Sequence, residues 1–160
     1  MTTSTFDQYV ATQDARNTIQ LNVIKWSYSL CDALLQNFID YSIKSHQNSI
    51  DRLQGNTDTG ISYHQKQIDN LKANICNYSF VIESGRKYHK IIMVIDSDSD
   101  SCLPPQRSIH AFIDRVTGDI FKPASWKSPA KHIRYNLLNI QSREYVLKYA
   151  DWSGSYLYLK

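Results

Sequence analysis

Tyr78-Ser79-Phe80-Val81-Ile82-Glu83-Ser84-Gly85-Arg86-Lys87-Tyr88-His89-Lys90-Ile91-Ile92-Met93-Val94-Ile95 is the stretch on which the fold turns. Two runs rich in β-branched and aromatic residues, Tyr78 to Glu83 and Tyr88 to Ile95, flank the turn signal Ser84-Gly85-Arg86. That pattern predicts a β-hairpin. Ile91 to Ile95 is continuously apolar, which places the second strand centrally.

Before this stretch the periodicity is helical. Ile19, Val23, Trp26, Leu30, Ala33, Leu34, Phe38 and Tyr41 recur at steps of three and four from about Asp14 onward. The helix is expected to reach about Leu53, roughly 40 residues, after a polar lead-in over residues 1–13. So long an amphipathic helix predicts a partner helix or a second subunit. Gln54 to Gly60 reads as a connection. Ser62 with Gln65 resembles a capping box opening a second helix through Ile68, Leu71 and Ile75. Residues 1–77 thus read as a helical hairpin and an oligomerisation element. His46 and His64 fall in it without a carboxylate or cysteine cluster at ligand spacing, which argues against a metal.

After the hairpin stretch come strands at Ser108–Asp114 and Asp119–Lys122, joined by the turn Arg115-Val116-Thr117-Gly118. Strict alternation puts Ile109, Ala111 and Ile113 on one face, and His110, Phe112 and Asp114 on the other. Asp96-Ser97-Asp98-Ser99-Asp100-Ser101 lacks the glycine and terminal glutamate of an EF-hand loop and reads as a solvated connection. Short helices are expected over 129–138 and from about Ser142 through Tyr149, with the aromatic tail Asp151–Tyr158 docked on the body. The predicted class is α+β: a long N-terminal helical hairpin, and an antiparallel sheet with two short C-terminal helices forming a ligand-binding region over 78–160.

Composition narrows the function. Of 160 residues, 18 are Lys or Arg and 15 Asp or Glu, a net charge of +3. The excess is local: between Lys122 and Lys148 six basic residues face the single Glu144. Such a patch favours an anionic ligand but falls short of the broad basic face of most nucleic-acid-binding domains. No apolar run approaches the roughly 20 residues of a bilayer span. The N-terminus has no basic and apolar signal pattern. Cys31, Cys76 and Cys102 are odd in number and lack CxxC spacing, which fits a reducing cytosol.

The candidate site lies in Phe121-Lys122-Pro123-Ala124-Ser125-Trp126-Lys127-Ser128-Pro129-Ala130-Lys131-His132-Ile133-Arg134-Tyr135-Asn136. Ser128 as N-cap and Pro129 at the first helical position would open a helix whose free N–H groups attract anions. Lys127, Lys131 and Arg134 would pair with phosphates, and Lys122 would neutralise charge at the pocket edge. Trp126 would stack on a base. His110 and Asn136 are hydrogen-bonding candidates. No serine or cysteine is placed to complete a triad with His110 and Asp114, so a binding role is expected over a catalytic one. Nothing in the pattern calls for a cofactor or a metal.

The strings His110-Ala111-Phe112-Ile113-Asp114, Thr117-Gly118-Asp119-Ile120-Phe121-Lys122-Pro123-Ala124-Ser125-Trp126-Lys127-Ser128-Pro129-Ala130-Lys131 and Arg134-Tyr135-Asn136-Leu137 resemble small proteins common in tailed-bacteriophage genomes. The ending Ala150-Asp151-Trp152-Ser153-Gly154-Ser155-Tyr156-Leu157-Tyr158 is similar to theirs as well. The resemblance spans about residues 86–160 and leaves out the helical hairpin. It extends to the phage sponge proteins of the anti-CBASS type. The resemblance implies immune evasion in the host bacterial cytoplasm: a homo-oligomer that sequesters a cyclic dinucleotide or related nucleotide signal without cleaving it. The alternatives are a nucleic-acid-binding or host-takeover protein, a virion structural component, and a phosphodiesterase or nuclease.

Overall fold

The computed structural model describes residues 2–54, 58–98 and 100–158. Helix α1 spans Thr2–Ala11, α2 Gln13–Leu53 and α3 Asp58–Lys72. Strands β1 (Tyr78–Ser84), β2 (Tyr88–Ile95), β3 (Gln106–Asp114), β4 (Asp119–Phe121) and β5 (Tyr135–Asn136) follow. Helix α4 (Ile140–Tyr149) and a 3₁₀ turn at Ser155–Leu157 close the chain. The strands form one antiparallel sheet in chain order. The architecture is α+β, as the change of periodicity near Asn77 predicts.

The core lies between α2 and one face of the sheet. Val23, Leu30, Cys31 and Leu34 of α2 meet Phe80, Ile91, Ala111, Ile113 and Ile120. Val146 of α4, Ala150 just after that helix and Leu157 of the 3₁₀ turn complete the same cluster. Helix α4 is tied to α2 by Arg143, whose Cζ stands 4.0 Å above the Trp26 ring. Most of the α2 stripe is therefore consumed within the chain, while its end members Ile19 and Tyr41 stay exposed. Burial and the Asp32 charge push the Cys31 thiol up to about 12, so it packs as an apolar group.

A second cluster joins the helical hairpin, the sheet and the tail. Phe38 stacks on Tyr78 at 3.8 Å and meets Trp152 edge-on at 5.5 Å. Leu71 of α3 packs beside it. The Trp152 backbone N–H donates to Asn37 Oδ1 at 3.0 Å. The aromatic tail is docked, as its composition predicts.

Four local expectations are corrected. The polar lead-in is helical: no glycine or proline interrupts it, the ladder continues through Thr12, and Arg16 sits 3.6 Å over the Tyr9 ring. Helix α3 begins at Asp58, so Ser62 and Gln65 lie inside it, and Gln65 bonds Asp69 one turn on. Gly60 suits that earlier start, because a Cβ there would lie 2.9 Å from Leu53 Cδ1. Of the connection expected from Gln54 to Gly60, residues 58–60 are the first of α3, and 55–57, like Ser99 of the acidic loop, lie outside the described residues.

The third correction concerns the expected helix at 129–138. The segment is extended and looped instead. Ser125 Oγ accepts from the N–H groups of Lys127 and Ser128, the Ala130 N–H donates to Lys122 C=O, and the Arg134 N–H donates to Ile120 C=O. Pro123 and Pro129 form an isolated bridge. With Ser125 turning the chain and β4 claiming its backbone, Ser128 caps nothing. The two short C-terminal helical elements are α4 and the 3₁₀ turn.

The fourth concerns β3. A register shift between Ile91 and Ile92 pairs Ile91 with Ala111 but Ile92 with Ile109, leaving His110 as the extra residue of a bulge. The bulge turns His110 inward, edge-on to Phe80 at 5.5 Å. Ile109 then falls on the face with Lys90, Ile92 and Phe112, opposite α2.

Phe38 bridges three parts of the chain, so Phe38→Ala should destabilise the protein by about 3–5 kcal/mol. Chemical denaturation followed by circular dichroism checks this. Phe38→Leu should cost clearly less.

Candidate functional site

Strand β4 is short, and it pairs with β3 only at Phe112↔Phe121 and Ile113↔Ile120. The earlier part of β3 therefore has no strand beside it on that side. The chain fills the gap with Lys122–Pro123 and with the docked tail, leaving a cleft of about 310 Å³. Ser108, His110, Lys122, Trp152, Ser153 and Tyr158 are among its lining residues. The Lys122 ammonium stands 4.7 Å from the centre of the Tyr158 ring.

The tail is shaped by Asp151. Its carboxylate accepts from the Ser153 N–H at 2.7 Å and from the hydroxyls of Ser153 and Ser155. Burial alone would raise the Asp151 pKa; the serine hydrogen bonds and the nearby His110 outweigh it and hold the carboxyl below its usual range. Gly154 adopts φ +81°, a left-handed conformation that opens the 3₁₀ turn beside the His110 ring.

His110 forms the inner wall. It is 8% exposed, and its Nε2 lies 2.8 Å from the Tyr156 hydroxyl. Burial pulls its pKa down to about 4, against a weaker upward pull from Asp151. The imidazole is thus neutral near pH 7. Burial likewise pushes the Tyr156 phenol well above its usual value, so that group stays protonated.

Of the residues expected to form the site, the structure brings His110 and Lys122 together. Trp126 lies elsewhere, over the sheet face opposite α2. It is 40% exposed, with Lys90 Nζ at 5.4 Å and Arg107 Cζ at 5.7 Å from its ring centre. Arg107 also pairs with Glu83 at 2.8 Å. Lys127 and Lys131 are exposed on the loop and do not line the cleft. With no helix there, they stand beside no row of free N–H groups.

Arg134 and Asn136 brace the fold. The Arg134 guanidinium donates to the carbonyls of Leu157 at 2.5 Å, Lys131 at 2.8 Å and His132 at 2.7 Å. It locks the loop onto the tail. Asn136 Nδ2 donates to Thr117 C=O at 2.9 Å and to Asp119 at 2.7 Å, while its Oδ1 accepts from Leu138 and Asn139. Its amide is saturated by the chain itself and has no edge left for a base.

Sequence reading missed Ser108, Ser153 and Tyr158 in the cleft, and Lys90 and Arg107 beside Trp126. Each enters through tertiary pairing, and no local motif marks it. His46 and His64 do meet, with their Nδ1 atoms 2.8 Å apart across α2 and α3. Among the described residues, no group of three or more His, Cys, Asp or Glu side chains is placed to hold a metal. No described helix is long and apolar enough to cross a membrane.

A family of unknown function, DUF7717, matches residues 6–159, and the chain belongs to it. The match takes in the helical hairpin as well as the sheet. No curated protein matches the chain, and neither does any solved structure.

Two predictions follow from the site's geometry. Arg134→Ala and Asn136→Ala should each lower stability by on the order of 2–3 kcal/mol, because several backbone partners lose their bonds; denaturant midpoints read this directly. The second concerns pH. The folded-state pKa of His110 lies below the 6.5 of an unperturbed histidine, so the unfolded chain binds more protons in between. Its contribution is complete above about pH 6.5 and is lost as pH falls toward 4. Burial lowers His46 and His89 too, with added repulsion from His64 and Arg115, and they act in the same direction. The melting temperature should fall between pH 7 and 4.5, and His110→Gln should flatten that slope.

Proposed function

We propose that this member of the family is a non-catalytic binding protein that sequesters a cyclic nucleotide. On this reading it serves a bacteriophage by silencing a nucleotide-signalled defence in the cytoplasm of the infected host. The observation that carries the reading is the pairing of Lys122 with Tyr158 at the mouth of the cleft beside β3. A cation, the Ser108 hydroxyl and aromatic rings within one cavity match a ligand that combines phosphate with a base. The cavity is at the small end for ligand sites, so it suits one nucleotide unit, with the rest of a cyclic dinucleotide outside it. The neutral, hydrogen-bonded His110 supports binding over acid–base chemistry, since a base near pKa 4 accepts protons weakly at neutral pH.

A second reading, binding of single-stranded nucleic acid, draws on Trp126. A half-exposed indole with Lys90 and Arg107 close by is a stacking platform among cations. It belongs to the opposite sheet face, so the two readings predict different sensitive residues.

Calorimetry and thermal shift against cyclic di-GMP, cyclic GMP-AMP, a cyclic triadenylate, a linear dinucleotide and short single-stranded DNA separate them. Sequestration predicts a raised melting temperature with a cyclic nucleotide, by mass action, and recovery of that ligand intact. Lys122→Glu should weaken binding about tenfold or more, whereas Trp126→Ala should leave it unchanged. Hydrolysis of the ligand would establish a phosphodiesterase instead. A response confined to DNA, lost at high salt and sensitive to Trp126→Ala, would establish the second reading. Silence with every nucleotide would overturn both.

A further inference from the structure

Strand β1 ends the sheet, and its outer edge pairs with nothing among the described residues. The hydrogen-bond phase of the hairpin says which groups are free. The Asp96 N–H donates to Asn77 C=O at 2.9 Å, and the Gly85 N–H donates to Tyr88 C=O at 2.9 Å. In an antiparallel pair the bonded positions alternate, so residues 77, 79, 81, 83 and 85 turn their N–H and C=O toward β2. Residues 78, 80, 82 and 84 turn theirs outward. The Tyr78 N–H is taken by Cys76 Sγ at 3.3 Å. No described donor or acceptor reaches the N–H or C=O of Phe80 or Ile82.

An open edge of seven residues is a template for another strand. Proteins that keep such an edge single guard it with charged side chains, lysine above all, or with proline, a bulge or a covering element, and the one charge of β1, Glu83, is paired with Arg107 of β3. Strand β1, Tyr-Ser-Phe-Val-Ile-Glu-Ser, has no lysine or proline, and its pairing with β2 runs without a shift.

We propose that this edge pairs with β1 of a second copy of the chain, antiparallel about a two-fold axis through Val81, to make one continuous sheet. The sequence of β1 is complementary to itself in that register. All seven residues find partners. Phe80 faces the partner's Ile82 and Tyr78 faces the partner's Ser84, so outward-bonding positions meet outward-bonding positions. An aromatic residue opposite a β-branched one is a favourable cross-strand pair. Glu83, the strand's one charge, faces the partner's Ser79 rather than a second carboxylate. Val81, 39% exposed in the single chain, meets the partner's Val81 at a non-hydrogen-bonded position, where side chains approach closest. A shift to centre the axis on Phe80 or Ile82 keeps the bonding phase but shortens the overlap. This contact uses the sheet edge, not the long helix that the periodicity singles out for oligomerisation, and it does not depend on what the cleft binds.

The test is sedimentation of the full chain over a concentration series, with substitutions that leave the hairpin intact. The wild type should sediment as a dimer. Val81→Lys should be monomeric at the same concentrations, with an unchanged circular dichroism spectrum, because it puts two ammonium groups across the axis. Cross-linking fixes the register. In a Cys102→Ser background, Val81→Cys should oxidise readily to a disulfide-linked dimer, since Cα atoms at such a position lie about 4.5 Å apart. Ser79→Cys should not cross-link, as its twin would lie about 13 Å along the strand. A monomeric wild type, a dimer that survives Val81→Lys, or equal cross-linking at both positions would overturn the proposal.

Discussion

The packing of α2 on the sheet is the constraint from which the rest follows. A single antiparallel sheet must bury one face, and here one helix supplies most of the cover. Val23, Leu30 and Leu34 are fully buried against Ile91, Ala111 and Ile113. Ser27 shares that face and satisfies its hydroxyl on Val23 C=O at 2.7 Å, so the polar group costs little. Because α2 is far longer than any strand, its C-terminal half runs past the sheet and is taken up by α3. Phe38 sits where the two regimes meet. The helical hairpin and the sheet are therefore coupled through one helix, and the tail is clamped at the same point through Asn37 and Trp152.

Two irregularities of the sheet build the cleft. The bulge in β3 turns His110 into the core side, and the early end of β4 leaves the neighbouring edge without a strand. The tail fills most of that gap, with Asp151 gathering two serine hydroxyls and Gly154 supplying the turn. Arg134 and Asn136 then hold loop and tail in place by bonding carbonyls and amides. Charge in this region consequently divides into two kinds. Arg134 is spent on the fold, and Lys122 remains at the mouth of the cavity. Counting cations along the chain does not separate the two.

Legibility in the sequence follows the range of the forces involved. Helix α2 and strands β1 to β4 are visible because burial imposes a period of 3.6 or 2 on neighbouring residues. The docked tail is visible because so many aromatic residues need cover. The stretch from Lys122 to Asn136 misleads for a physical reason. Ser128-Pro129 is a sound helix start locally, yet the backbone of the segment is claimed by β4 and by Ser125. Asn136 reads as a free amide until Thr117 and Asp119 are brought beside it.

The class of the fold, the position of four strands, the length of the dominant helix and the local excess of positive charge are all present in the order of the residues. All of these arise from contacts or patterns within a few residues. The face on which His110 lies was set by strand pairing, because one inserted residue in β3 reverses the alternation on one side of it. The tertiary structure also decided which cation lines the cleft, which serines share it, and that Trp126 stands on the opposite face. Those outcomes depend on strand register and on groups far apart in the chain, and neither leaves a period to read.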